Sequence, residues 1–220
     1  MPGAEPWPAF RLQPMLEDRT GTTGFDAHYV YLGAWSFRHI AANRPGSHVD
    51  IGAQIGWVSC LAAVTRVVFI DIRPFTGTIE NLESRAGTIL GLPFRDREVA
   101  SLSCLHVAEH IGLGRYGDAI DPLGTRKAIR ELARVLAPGG RLYFAVPVGR
   151  AQVCFNAHRV HDPRDIREWF TEEGLVLEEF AGVDDRGTFT PRADLEAFRG
   201  QCYGCGMFLL RRPDDAGPSP

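Results

Sequence analysis

The stretch 48–71, "HVDIGAQIGWVSCLAAVTRVVFID", constrains the fold of this 220-residue chain more than any other part of it. It opens as a short apolar run closing on Asp50 and Gly52, continues as the small-residue helix pattern "WVSCLAAVTR", and returns as "VVFIDI", apolar until Asp71. Strands that read as unbroken β-branched and aromatic runs are covered on both faces, as in a parallel sheet. The segment is therefore expected to form a strand, helix, strand unit whose first turn faces a crevice.

That turn limits the ligand. The dinucleotide fingerprint, with glycines at its first, third and sixth positions, would begin at Gly52 but meets Gln54 and Trp57 at the next two places. A nicotinamide oxidoreductase is disfavoured on that ground. What remains is Asp50, Gly52 and Gly56. Gly52 would let the backbone bend and approach a ligand, Gly56 would let the following helix pack close to the strand, and Asp50 would hold its carboxylate near the crevice. Asp71 ends the second strand about twenty residues later, where a carboxylate can accept hydrogen bonds from both hydroxyls of a ribose. With neither a third glycine nor a Lys-Ser/Thr pair to cradle phosphates, a phosphate-free nucleoside fits best.

The same alternation runs on. "ASLSCLHVAEH" starts as a strand, and "RLYFAVPVG" is a strand with Leu142, Phe144 and Val146 on one face. Between them lies the clearest helix: Asp121 as cap, Pro122 in the first turn, Ala128, Ile129, Leu132, Val135 and Leu136 at helical spacing, and "PGG" as stop. Asp162 and Pro163 mark another helix start, with Ile166, Trp169 and Phe170 on one face and Gly174 as terminator. "LVLEEF" and "YGCGMFLLRR" are the closing strands. The expected fold is α/β, a Rossmann-like, doubly wound, mostly parallel seven-stranded sheet with helices on both faces, over residues 25–212. Residues 1–24 and 213–220 are expected to be flexible ends.

Composition excludes several classes. No run of roughly twenty apolar residues suggests a membrane span, and a net charge of −3 with mixed signs leaves no basic footprint for nucleic acid. The start "MPGAEPWPAF" does not look like a secretion signal, so a cytoplasmic location is expected. Five scattered cysteines suit reduced thiols, and Cys202 and Cys205 form a lone CxxC assigned to strand packing.

The segments "VDIGAQIG", "VVFIDI", "LPF", "CLHVAEH" and "RVLAPGGRLYFAVP" together resemble the class I S-adenosylmethionine-dependent methyltransferases. Gln54 stands at the middle glycine of their first motif, and Thr88 stands where they usually carry an Asp for the adenine amino group. The resemblance implies S-adenosylmethionine as cofactor, with Asp50, Gly52, Gln54, Gly56, Asp71, Ile72, Leu92, Ser103, Leu105 and His106 around it. A narrower resemblance, carried by "FDAHYVYLGAW", "LHVAEHIGLGRYGDAIDPLGTRKAIRELARVLAPGG", "VPVGRAQVCFNAHRVHDPRDI" and "YGCG", is to a methyltransferase-like family catalogued as a domain of unknown function and often associated with surface-glycan assembly.

Methyl transfer to a hydroxyl needs an aligned acceptor and a base near neutrality. His106 and His110 flank the end of the fourth strand, and an imidazole titrates near pH 6.5 before its surroundings act on it. His110 is the expected base, with Glu109 and His158 assisting. "GLGRYGD" would carry Arg115, Tyr116 and Asp118 to the acceptor, and "FNAHRVH" would add Asn156 and Arg159 from across the crevice. Such a lining suits a small or glycan-linked acceptor. His28, Tyr29, Tyr31 and Trp35 fit a packed amphipathic helix, part of which could close over the cofactor. No metal site is expected, since the histidines form no ligand motif; a divalent ion held by Glu109, Asp118 and a histidine stays open. The competing reading is a protein of the same fold that binds the nucleoside without turnover.

Overall fold

The computed structural model describes Gly3 and residues 11–215. Of the expected flexible ends, residues 1–2, 4–10 and 216–220 lie outside the described residues, and residues 11–24 and 213–215 carry neither helix nor strand. The elements run α1 (Ala27–Asn43), β1 (Ser47–Ile51), α2 (Ile55–Ala62), β2 (Arg66–Asp71), β3 (Leu82–Ala86) and β4 (Val99–Leu105), then a single 3-10 turn at Ala108–His110. They continue as α3 (Gly124–Val135), β5 (Leu136–Val148), β6 (Gln152–Cys154), β7 (His158–Val160), α4 (Pro163–Glu172), β8 (Val176–Val183), β9 (Phe189–Thr190), α5 (Leu195–Phe198) and β10 (Gly204–Arg211).

The main sheet has the order β3-β2-β1-β4-β5-β10-β8-β9. β3, β2, β1, β4 and β5 are mutually parallel, and β10 inserts antiparallel between β5 and β8. The sheet thus has eight strands rather than the expected seven. The extra one, β9, is a two-residue strand paired to the end of β8. Strand order reverses between β1 and β4, so their carboxyl ends open a crevice.

Period-two alternation divides the core between the two faces. Ile51, Ile70, Leu102, Leu142, Phe144, Val146 and Phe208 pack with Ile129 and Leu132 of α3 and Ile166 and Phe170 of α4. Val67, Phe69, Tyr143, Ala145, Ala181, Met207 and Leu209 pack with Leu32, Trp35 and Ile40 of α1 and Val58 and Leu61 of α2. Apolar side chains on both faces are what made the strands read as unbroken hydrophobic runs.

The cap and first turn expected at Asp162 and Pro163 are present: the Asp162 carboxylate accepts from the backbone N of Arg164, and Pro163 opens the helix. The cap expected at Asp121 is displaced. α3 begins at Gly124 with Leu123 as the preceding residue, and Asp121 instead accepts from the Leu123 N–H and pairs with the Lys127 ammonium. Among the described residues, no helix is long and apolar enough to cross a membrane.

Candidate functional site

The turn after β1 bends at Gly52, whose φ of +65° lies in the left-handed region. A Cβ there would stand 3.1 Å from Val107 Cγ2 and 3.6 Å from Asp71 Oδ2, so the glycine permits both the bend and a close approach. The turn is braced from below. Asp50 is fully buried, its Oδ1 accepts from the Ala53 N–H at 3.0 Å, and its other oxygen is bonded to Ser103 Oγ. Ser103 Oγ lies 2.8 Å from His48 Nε2, and His48 Nδ1 lies 2.8 Å from Ser101 Oγ. These groups form one hydrogen-bonded chain between β1 and β4. Burial lowers the His48 pKa to about 3, so its ring is neutral. Burial also lifts Asp50 to about 7, against the hydrogen bonds from Ser103 and Ala53.

Asp50 and Ser103 therefore shape the turn from inside and do not line the crevice, contrary to their expected place around the cofactor. Gly56 also departs from expectation: nothing lies within 4 Å of where its Cβ would be, so no close packing of helix on strand depends on it. Gln54 is the residue preceding α2; its side chain caps nothing and is exposed at the crevice edge.

Asp71, half-buried at the end of β2, turns its carboxylate into the opening: Oδ1 accepts from the Arg73 N–H at 2.7 Å and Oδ2 faces Gly52. The cleft over it spans about 550 Å³ including its open mouth, and is bordered by Gly52, Asp71, Ile72, Ile89, Val107 and Tyr116. His106, His110 and Thr88 also reach it. Leu92 does not: it is buried in the core, with its N–H held by Glu131. Leu105 borders a smaller hollow beside Tyr29, Gln54 and Trp57, between α1 and the turn.

His106 follows β4 in a left-handed conformation, φ +57°, which a non-glycine residue adopts at a cost of about 1–3 kcal/mol. The bend seats its ring in a buried polar knot. Its Nδ1 is 3.0 Å from Glu109 Oε1 and its Nε2 is 3.3 Å from Cys205 Sγ. The His28 ring lies nearly parallel to it with centroids 6.0 Å apart. Burial alone would lower the His106 pKa, but Cys205 and Glu109 outweigh it and hold it well above the usual histidine value. Burial would raise Glu109, but the bond and charge of His106, with His110 behind it, pull it below the usual carboxylate value. His28 is shifted down by burial and by His106. Among the described residues, Glu109 Oε2 is buried with no hydrogen-bond partner.

His110 stands at the other side of Glu109, Nε2 to Oε1 at 3.7 Å. Its Nδ1 is 2.7 Å from the carbonyl of Ala157 and 3.2 Å from Arg115 Nη1; the shorter contact, to an oxygen that can only accept, favours a proton on Nδ1 and leaves Nε2 able to accept one. Arg115 donates to the same carbonyl at 3.0 Å and sits over the Tyr116 ring. Ala157 belongs to the turn between β6 and β7, so the loop 111–118 and the hairpin 152–160 touch at this point. His158 packs against the Tyr203 ring at 4.8 Å, and burial lowers its pKa.

Three residues expected to meet an acceptor are occupied elsewhere or turned out. Asp118 closes its own loop by accepting from the Gly112 and Tyr116 N–H groups. Arg159 is buried and donates to the carbonyls of Ile111, Gly112 and Asp121. Asn156 is exposed in the hairpin turn. Among the described residues, Glu109 and Asp118 do not belong to a shared cluster of metal-ligating groups. Of the CxxC pair, Cys205 is buried in β10 while Cys202 is exposed and contacts Arg150. By sequence, His48 and Cys205 have no place in the site: His48 opens an apolar strand, and the lone CxxC of Cys205 reads as strand packing.

A sheet of this strand order, with a glycine bend after β1 facing an acid at the end of β2, is the fold of the class I S-adenosylmethionine-dependent methyltransferases. Solved structures agree on the fold. The N-methyltransferase NodS from Bradyrhizobium japonicum, in complex with S-adenosylhomocysteine, superposes with a TM-score of 0.61 over 84% of this chain and 87% of its own, at 18% identity. The 1,6-didemethyltoxoflavin-N1-methyltransferase of Burkholderia thailandensis, with bound 1,6-didemethyltoxoflavin and S-adenosylhomocysteine, gives 0.58 over 86% and 84% at 15% identity. The 4+2 cyclase SpnF gives 0.56 over 83% and 81% at 14% identity. The profile of a family described as "Caenorhabditis protein of unknown function, DUF268" matches residues 97–171, from the turn before β4 to the end of α4. No curated protein matches the sequence.

Proposed function

We propose that the chain is an S-adenosylmethionine-dependent methyltransferase acting on an oxygen of a polar acceptor such as a sugar or glycan precursor. One observation carries the reading: the left-handed bend at Gly52 is apposed to the Asp71 carboxylate in a cleft at the point where strand order reverses. The residues fit the cofactor. Asp71 can accept from both ribose hydroxyls, Ile72 and Ile89 offer apolar walls for an adenine, and the Leu105 hollow between α1 and the turn suits the methionine end. When bound, the cofactor supplies an electrophilic methyl group; the chain's own residues orient the acceptor and take its proton.

His110 is the proposed base. Its Nδ1 proton is fixed by the Ala157 carbonyl, its Nε2 accepts the acceptor proton, and the nearby Glu109 carboxylate stabilises the imidazolium that forms. Tyr116 borders the same opening with Arg115 against its ring, a pairing that suits hydroxyl-rich ligands, while His158 packs against Tyr203. The fold by itself does not set the chemistry, as SpnF illustrates by carrying the name of a cyclase.

Calorimetry with S-adenosylmethionine and S-adenosylhomocysteine, followed by transfer of a labelled methyl group into a glycan extract, tests the proposal. Binding of both with label transfer is expected. His110→Ala should then lower turnover by about two to four orders of magnitude with little change in cofactor affinity. Binding with no transfer to any extract would make the chain a nucleoside-binding protein of the same fold, and no binding would remove the proposal.

A further inference from the structure

We infer that His28, His106 and Cys205 form a metal site for a divalent cation of the zinc class. One ligand atom from each of the three lies within 4.8 Å of the other two. Neither their spacing in sequence nor any motif brings them together; the topology does. His106 follows the carboxyl end of β4, and β10 runs antiparallel, so its start, with Cys205 opposite Pro147, lies at the same edge of the sheet. α1 then lays its first turn, with His28, across that edge.

The donor set suits zinc. Thiolate sulfur with two imidazole nitrogens is a zinc combination, with bonds of about 2.3 Å to sulfur and about 2.0–2.1 Å to nitrogen. A tetrahedral ion with such bonds holds its ligand atoms about 3.5 Å apart. The His106 Nε2 to Cys205 Sγ distance of 3.3 Å is already close to that, and the widest separation in the cluster needs to close by up to about 1.3 Å.

A second, independent observation points the same way. A histidine that binds a metal through one ring nitrogen characteristically donates from the other to a carboxylate, which fixes the tautomer and strengthens the ligand. His106 has this arrangement: Nδ1 faces Glu109 Oε1 at 3.0 Å, leaving Nε2 on the side of Cys205 and His28. Glu109 is buried, and among the described residues its Oε2 has no partner. A carboxylate placed so deep needs positive charge beside it, which the His106 ring supplies in the metal-free chain and a bound cation would supply in its place. A doubly charged cation with one thiolate and two neutral imidazoles leaves one unit of positive charge, which Glu109 offsets.

Three protein ligands leave a fourth position for water or a substrate heteroatom, as in catalytic rather than structural zinc sites. The rings of Tyr29 and Tyr203 flank the cluster, 5.5 Å from His106 and 5.3 Å from His28 respectively, and both are partly exposed. The site does not depend on the methyltransferase reading, and its test needs no methyl donor.

The test is Co(II) titration of the full chain after chelator treatment. A thiolate-to-metal charge-transfer band with the intense visible bands of four-coordinate Co(II), at one ion per chain and displaced by Zn(II), is expected. Cys205→Ser should abolish the charge-transfer band, whereas Cys202→Ser should keep it. His28→Ala should weaken Co(II) binding at least tenfold, and Glu109→Gln by about ten- to a hundredfold. If a variant fails to fold, the unmodified chain still decides, because Zn(II) should raise its Tm progressively with free Zn(II) concentration. Absence of both the Co(II) spectrum and the Zn(II) shift, or a charge-transfer band that survives Cys205→Ser, would overturn the assignment and leave a thiol hydrogen-bonded to an imidazole.

Discussion

At the residue scale, the two glycines that define the first turn have opposite physical roles despite equal standing in the motif. Gly52 needs its left-handed φ and has Val107 and Asp71 against it, so Gly52→Ala should destabilise the fold by about 1–3 kcal/mol and abolish the proposed S-adenosylmethionine binding. Gly56 sits in the first turn of α2 with open space above it, so Gly56→Ala should be neutral, or stabilising by up to about 1 kcal/mol. Urea unfolding and calorimetry on the two variants would check the contrast, and equal losses would show that the turn depends on both. Sequence exposed this turn because its signal is local: acid, glycine and apolar run lie within a few residues. It could not expose Cys205 and His28 as neighbours of His106, because only the pairing of β10 with β5 brings residues so distant in sequence to one edge. It also could not tell that Arg159 and Asp118 satisfy backbone groups, since a polar side chain in a loop reads the same whether it faces a ligand or its own carbonyls.

At the scale of elements, those with an apolar stripe and a cap were legible and those without were not. α4 was marked by Asp162, Pro163 and the Ile166–Phe170 face, and it lies where that pattern placed it. β3, "LESRA", is an edge strand with charged residues on it, and edges carry charge in place of a hydrophobic signature. The α3 start moved to Gly124 because the Asp121 carbonyl accepts from Arg159 and the Gly124 N–H, which holds 121–123 in a turn before the helix. For α4 the cap itself can be weighed. Asp162→Ala removes the bond to the Arg164 N–H and the pairs with Arg164 and Arg199, and should cost about 0.5–2 kcal/mol. Burial would raise the Asp162 pKa, but Arg164 and Arg199 hold it down at about 2. The stability this carboxylate contributes is therefore present above the usual carboxylate range and lost as pH falls through about 2. Wild type and variant should converge in strong acid, as denaturant titrations across that range would reveal; a gap that persists there would assign the loss to packing instead.

At the scale of the whole molecule, the buried chain Asp50–Ser103–His48–Ser101 couples the central strands β1 and β4 to pH in two opposed ways. Asp50 has its folded pKa raised to about 7, so the stability it contributes is present below the usual carboxylate range and lost as pH rises toward 7. His48 has its folded pKa lowered to about 3, so its contribution is present above about 6.5 and lost as pH falls toward 3. Each amounts to roughly 4–5 kcal/mol across its window, and between about pH 4 and 6.5 the two nearly cancel. Asp50→Asn separates them. The amide oxygen can still accept from Ala53, its NH2 can donate to Ser103, and the histidine can change tautomer so that every bond reverses and none is lost. The variant keeps the brace of the Gly52 turn while removing the titration of Asp50. Its unfolding free energy should therefore climb with pH between 4 and 6.5, where that of the wild type is much flatter, and the difference between the profiles should level off above about 7. Every other titrating group cancels in that difference. Parallel profiles would mean that Asp50 is ionised throughout the range, and that the turn over the cleft rests on a permanent buried charge.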